Sequence, residues 1–195
     1  MTKAATAALP LLVLLITTPA IASAQELRAG VGLSGHDLVI KDEPGGEQGV
    51  SATAEYLFPS PRFLRVLGGP RPYIGGTASL EGHTNFLDAG LLWRLERGRF
   101  YVDAGGGGAV HDGELDLPQP MAGLSAEENA RRRRVLEEQL VFGERFLFHA
   151  TLTAGWRVTD HWALEVGAQH WSNGDVSSPT NDGSDILHLR TAYRF

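Results

Sequence analysis

No cysteine occurs among the 195 residues. That absence excludes a disulfide framework, a thiolate metal site and a cysteine nucleophile. Basic charge is also scarce: 17 Lys and Arg stand against 23 Asp and Glu, for a formal charge of -6. A nucleic-acid binder normally carries a basic footprint, so that class is set aside. After the first two dozen residues no run approaches the ~18 apolar residues that a transmembrane helix needs. A mean hydropathy of -0.12 then reads at first as that of a soluble protein. Glycine is what the chain has in excess, with 24 residues, about 12% against a usual ~7%. The length suits one domain.

Residues 1–24 carry Lys3, an apolar run over 7–16 and the small-residue ending Ala22-Ser23-Ala24. This is the n-region, h-region and A-x-A order of a secretory signal peptide. Pro10 and Pro19 bracket a run too short to span a bilayer as a helix. Cleavage after Ala24 is expected. It leaves a single domain over 25–195, 171 residues with a formal charge of -7 once Lys3 is gone. An exported chain without a spanning helix can enter a membrane only as a closed β-barrel.

Period-two alternation runs through the rest of the chain, as a barrel strand requires. The first segment sets Leu27, Ala29, Val31 and Leu33 against Arg28, Gly30, Gly32 and Ser34. The second sets Val50, Ala52, Ala54, Tyr56 and Phe58 against Ser51, Thr53 and Glu55; the third, Ile74, Gly76, Ala78 and Leu80 against Tyr73, Gly75, Thr77 and Ser79. Leu87, Ala89, Leu91, Trp93 and Leu95 oppose Asp88, Gly90 and Arg94, and Phe100, Val102, Ala104 and Val110 oppose Tyr101 and Asp103. The sixth has Phe146, Phe148, Ala150, Leu152, Ala154 and Trp156 against His149, Thr151, Thr153 and Arg157. Trp162, Leu164, Val166 and Ala168 then oppose Glu165, Gly167 and Gln169, and Leu187, Leu189, Thr191, Tyr193 and Phe195 oppose His188, Arg190 and Arg194. These eight strands predict an all-β, eight-stranded antiparallel transmembrane barrel.

The apolar faces would meet lipid. Asp88, Asp103, Glu165, Arg28, Arg94, Arg157 and Arg190 would point into a narrow interior where opposite signs can pair. Phe58, Trp93, Phe100, Trp156, Trp162 and Tyr193, near strand ends, fit interfacial aromatic girdles. The run 105–108 of four glycines fits barrel curvature, with a shallow outer groove at Gly106 and Gly108 as the sharper reading. With the N-terminus periplasmic, the outward loops are 35–48, 81–85, 111–145 and 173–184. The opposite side has tight turns at Arg97-Gly98 and Thr159-Asp160, and a segment over 59–70 that is long for a periplasmic connection. The aromatic ending Tyr193-Arg194-Phe195 resembles the terminal signature that the barrel-assembly machinery reads.

Within the longest loop, Ser125-Ala126-Glu127-Glu128 is a capping-box pattern that opens a short helix over 129–140. Its Arg131, Arg132, Arg133 and Arg134 fit a solvated helix face beside Glu127, Glu128, Glu137 and Glu138. They also fit a clamp for anionic phosphates, which guanidinium groups bind bidentately.

The seventh hairpin carries the chemistry. It reads Gln169-His170-Trp171-Ser172-Asn173, then Asn181-Asp182-Gly183-Ser184-Asp185. His170 and Ser172 are two apart and so share a strand face, roughly 6.6–6.8 Å apart along it. Their parity, and that of Asp185, is the lipid-facing one. A hydroxyl, an imidazole and a carboxylate are the parts of a nucleophilic triad, in which the imidazole deprotonates the hydroxyl and the acid orients the imidazole. Polar groups facing lipid are costly and point to function. Polar residues at a loop edge also meet headgroups and water, so spacing alone leaves both readings open. The Asn173 amide is a candidate oxyanion donor.

His170-x-Ser172-Asn173 followed by Asn181-x-Gly183-x-Asp185, in a chain ending Thr191-Ala192-Tyr193-Arg194-Phe195, resembles the lipid A 3-O-deacylase (PagL-type) family of outer-membrane enzymes. The stretch from Phe146-Leu147-Phe148 to Gly155-Trp156-Arg157 resembles that family's strand before the catalytic one. The resemblance covers about residues 140–195. It implies an outer-membrane esterase that removes the 3-hydroxyacyl chain at position 3 of lipid A. Ser172 would be the nucleophile, His170 the base and Asp185 the acid. Asn173, Asn181 and Gly183 would form or support the oxyanion site. The family's acid is usually glutamate, so the reach of the shorter Asp185 depends on backbone placement, with Asp182 the nearest substitute. Also departing from the family pattern are a hairpin one residue longer and the inserted loop bearing Arg131, Arg132, Arg133 and Arg134.

No cofactor or metal is expected. His36, His83 and His111 fall on outward loops without ligand spacing, and His149 and His188 point into the interior network. The partners implied are lipopolysaccharide in the outer leaflet and the membrane itself, with a homodimer left open. A reading from a different class, a non-catalytic structural or adhesive small barrel, shares every feature except the polar trio.

Overall fold

The computed structural model describes residues 25–35, 47–116, 118–174, 176 and 182–195. The signal-peptide segment 1–24 lies outside the described residues. Strands β1 (Glu26–Gly35), β2 (Gly49–Leu57), β3 (Arg71–Ser79), β4 (Phe86–Arg97), β5 (Phe100–His111), β6 (Phe146–Arg157), β7 (Trp162–Ser172) and β8 (Ser184–Arg194) follow in chain order. Each pairs antiparallel with the next, and β1 with β8, so the sheet closes as an eight-stranded up-and-down barrel. All eight alternating segments are strands. Closure leaves no edge with unpaired backbone groups, the condition for a sheet to sit in lipid.

Exposure follows the alternation. Leu33, Leu87, Leu152, Val166 and Leu189 stand on the outer wall, while Arg28, Asp88, Asp103, Glu165 and Arg190 are buried inside. Arg28, fully buried, bonds Glu26 and Glu55 at 2.9 Å, Glu165 at 3.2 Å, and Asp103. It therefore ties β1 to β2, β5 and β7 across the barrel. Arg94 joins Asp103 at 2.7 Å and Glu26 at 2.9 Å, and Arg190 joins Glu165 at 3.2 Å. Arg157 sits at the barrel mouth and pairs with Glu96. A charge buried without its partner costs several kcal/mol, so this network holds together as a unit. The lower and middle interior is filled.

Above the charges the interior turns apolar. Phe86, Ala109, Leu140, Phe142, Leu147, Trp171 and Ile186 form a buried cluster at the end opposite the chain termini. Leu140 and Phe142 come from the long β5–β6 connection, whose helix α1 (Ala126–Glu138) opens with the Glu128 amide donating to Ser125 Oγ at 3.1 Å. The glycines allow close approach of two strands: Gly90 faces Gly107 across β4 and β5, and a Cβ on either would collide with a backbone carbonyl. On the outer side the Phe146 ring lies over Gly108.

Phe58, Trp93, Phe100, Trp156, Trp162 and Tyr193 all stand at the terminus end, as one girdle. Trp162 and Tyr193 meet edge to face at 4.8 Å. That end also carries the tight turns after β4 and β6, whereas β2 and β3 are joined through a 3-10 helix, Arg62–Leu67. Short turns mark the periplasmic side of such barrels and long loops the outside.

Candidate active site

Strand β7 ends and β8 begins at the outer rim, where the register places His170 directly opposite Asp185. Opposed residues of an antiparallel pair share a face with Cβ atoms roughly 4.5–5.5 Å apart. The side chains meet there: His170 Nδ1 lies 2.7 Å from Asp185 Oδ1. The short aspartate suffices because the backbone register already places it across from the imidazole. An ionised carboxylate only accepts hydrogen bonds, so opposite an ionised Asp185 the hydrogen of this contact belongs to Nδ1, the tautomer that leaves Nε2 free to accept a proton. Asp185 has outward parity yet is 2% exposed, while the His170 side chain is 35% exposed. Burying the acid strengthens its grip on the imidazole.

Ser172 lies two residues further on, opposite Phe148, on the same outward face as His170. Gly183 borders both. A Cβ built on it would sit 3.4 Å from His170 Cε1 and 4.0 Å from Ser172 Cβ. Gly183 thus lies beside both the imidazole edge and the serine. Gly183 also has φ +66°, a left-handed conformation that glycine adopts without steric cost.

Beneath these outward groups Trp171 points inward and is buried. It stacks between Phe86, at 4.4 Å and 13°, and His149, at 5.0 Å and 10°. The residue between His170 and Ser172 is thus locked in the apolar cluster at the outer end of the barrel, which fixes the strand that carries them. The hairpin is braced from the long loop as well. Asn173 donates its Nδ2 to the Phe142 carbonyl at 2.8 Å. Asp182 accepts the Val141 amide at 2.7 Å and donates its own amide to the Val141 carbonyl at 3.2 Å. Asp182 is therefore committed to Val141, and Asp185 is the acid that reaches His170. Asn173 supports the segment next to Ser172. Asn181 lies outside the described residues.

The segment Leu140-Val141-Phe142 escaped the sequence reading. Its signal is an apolar triplet closing a long polar loop, which marks a loop end that is buried.

The four arginines lie on α1. Arg131 and Arg132 bond Glu128 at 3.1 and 3.0 Å, and Arg132 also donates to the Gln119 carbonyl at 2.9 Å. Hydrogen bonds from Arg131 and Arg132 hold the Glu128 carboxyl at about 2, below its ordinary 4.5. Arg133 and Arg134 are exposed.

Among the described residues no three His, Asp or Glu side chains gather to hold a metal. His111 Nε2 contacts the Glu144 carbonyl at 2.7 Å, and His149 Nδ1 the Tyr73 hydroxyl at 2.8 Å. His188 lies 3.4 Å from Thr153 Oγ1. His36 is outside the described residues.

The sequence matches the family model described as lipid A 3-O-deacylase (PagL) over residues 47–194, about three quarters of the chain. The fold is similar to the crystal structure of the outer membrane enzyme PagL, with a TM-score of 0.55 at 15% identity, covering 87% of this chain and 99% of that one. It is also similar to a de novo designed transmembrane β-barrel, with a TM-score of 0.50 at 10% identity, covering 91% and 100%. No curated protein matches.

Proposed function

The chain belongs to the lipid A 3-O-deacylase (PagL) family, and from that premise we propose that Ser172, His170 and Asp185 hydrolyse the ester-linked 3-hydroxyacyl chain at position 3 of lipid A. The barrel resides in the outer membrane, and the substrate class is lipid A. The observation that carries the mechanism is the 2.7 Å contact between His170 and Asp185 on the lipid-facing wall.

His170 Nε2 takes the hydroxyl proton as Ser172 Oγ attacks the ester carbonyl. Asp185 stabilises the imidazolium that forms. The tetrahedral intermediate collapses, the sugar oxygen leaves with the proton from Nε2, and the acyl group stays on Ser172. Water, deprotonated by Nε2, then attacks the acyl-enzyme, releases a 3-hydroxy fatty acid and restores the serine. Asn181 and the backbone beside Gly183 belong to the oxyanion site, while Asn173 supports it through Phe142. The filled interior supports lateral approach of the acyl chain from the bilayer. On α1, Arg133 and Arg134 are the outward pair for the glucosamine phosphates, with Arg131 and Arg132 beside them on Glu128. Residues 1–24 act as the export signal, and Tyr193-Arg194-Phe195 as the segment recognised at barrel assembly.

Mass spectrometry of lipid A from cells expressing the parent or its Ser172→Ala variant tests the reading. The parent should remove one 3-hydroxyacyl chain and the variant none. Unchanged lipid A beside correctly inserted parent protein would reject it, and would favour a non-catalytic barrel.

A further inference from the structure

Neither the catalytic hairpin nor the polar interior gives a role to the connection between β2 and β3. At an end of the barrel where the neighbouring connections are tight turns, this one holds the six-residue 3-10 helix Arg62–Leu67. Three residues per turn sort its side chains into columns, because positions i and i+3 eclipse. Arg62 and Arg65 form one column, Phe63 and Val66 the second, and Leu64 and Leu67 the third. Leu64 is buried, whereas Phe63 is 74% and Val66 88% exposed. Both basic residues are exposed.

The helix is fastened to the outer wall rather than across the barrel mouth. Trp93, on the lipid-facing side of β4 and within the aromatic girdle, donates its indole N–H to the Leu67 carbonyl at 2.8 Å. Gly68, which caps the helix at φ 86°, lies against the same indole. Girdle tryptophans mark the headgroup level of a bilayer. Phe63 and Val66 are thus two exposed apolar side chains on a helix whose C-terminal end is tied to a residue of that girdle. Charge at this end is opposite to that of the whole chain. Arg62, Arg65, Arg97 and Arg99 are exposed here, against Asp160 and a Glu96 that is paired with Arg157.

We propose that the helix Arg62–Leu67 is a membrane anchor on the periplasmic leaflet, with Phe63 and Val66 seated at the headgroup–acyl boundary and Arg62 and Arg65 on the phosphates of anionic phospholipids. It accounts for a long connection on the side where barrels use short ones, and it stands apart from the enzymatic reading.

The absence of cysteine makes the test clean. A single thiol introduced as Val66→Cys in the full chain takes an environment-sensitive fluorophore, with Asp160→Cys as the reference position. In vesicles of phosphatidylcholine with increasing phosphatidylglycerol, the Val66 label should be quenched by shallow nitroxide lipids and shielded from aqueous iodide. The Asp160 label should show the reverse. In the Arg62→Gln/Arg65→Gln background the apparent affinity for phosphatidylglycerol should fall by roughly fivefold per arginine, so the quenching curve moves to higher phosphatidylglycerol fractions. Phe63→Cys serves as a second reporter, and gel mobility of unheated samples checks that each variant is folded. A Val66 label as open to iodide as that at Asp160 would overturn the anchor. A phosphatidylglycerol dependence unchanged in the double variant would overturn the headgroup contact, and with it the proposal.

Discussion

Replacing Asp185 by asparagine leaves size and burial nearly unchanged and removes one charge. The charge-assisted bond to His170 Nδ1, 2.7 Å long, is worth about 1.5–3 kcal/mol. In the transition state of the proposed mechanism the imidazole becomes a cation, and two unit charges about 4 Å apart attract by about 4 kcal/mol at an effective dielectric near 20. The His170 side chain is 35% exposed, so water screens part of that attraction and about 2–4 kcal/mol is the fair range. At 1.36 kcal/mol per decade the rate should fall roughly 30- to 1000-fold. The amide can also point its N–H at Nδ1, which stabilises the wrong tautomer and pushes the loss toward the upper figure. Initial rates of 3-hydroxy fatty acid release from purified lipid A in mixed micelles provide the assay. The loss should fall on kcat with KM nearly unchanged, because the buried Asp185 meets the imidazole and not the substrate. Asp185→Glu keeps the charge and should recover part of the rate. A folded Asp185→Asn protein within threefold of the parent would refute the assignment of the acid.

Gly183→Ala puts a Cβ on a left-handed backbone and 3.4 Å from His170 Cε1. It should destabilise by about 1 kcal/mol and lower kcat more than that loss explains, as read from urea midpoints beside rates. Arg28→Gln removes the guanidinium shared by Glu26, Glu55, Asp103 and Glu165, leaving four buried acids to Arg71, Arg94 and Arg190, and should cost about 3–5 kcal/mol of unfolding free energy in vesicles. Glu128, with its pKa lowered from 4.5 to about 2, supports α1 fully above about pH 4.5 and loses that support as pH falls toward 2. The helical circular dichroism signal lost with Glu128→Gln at neutral pH should also be lost by the parent across that acid window, and both Glu128→Gln and high salt should flatten the pH dependence.

The strands were legible because one chemical division, lipid outside and charge inside, repeats every second residue over nine to twelve positions. The same parity rule put His170, Ser172 and Asp185 on one face. Contact between His170 and Asp185 was not legible, since it depends on a hairpin register that residue parity does not determine. Neither was the splint from Val141 and Phe142 to Asp182 and Asn173, which joins residues more than thirty positions apart on a loop without periodicity. The capping pattern at Ser125 located α1, but only coordinates show that Glu128 engages two of the four arginines. The glycines of β5 signalled something unusual, and the reason lies in how closely β4 approaches at Gly90. Long-range pairing, not local preference, decides each of these.

Covalent capture at the lipid-facing wall tests the central claim most directly. An alkyl fluorophosphonate, added to the folded barrel in micelles, should phosphonylate Ser172, as read by mass spectrometry of the modified peptide. Labelling should be absent in Ser172→Ala and strongly slowed in His170→Ala and Asp185→Asn, with activity lost in step with labelling. A Ser172→Ala protein that still deacylates lipid A, or an inactivating label on a residue other than Ser172, would contradict the account.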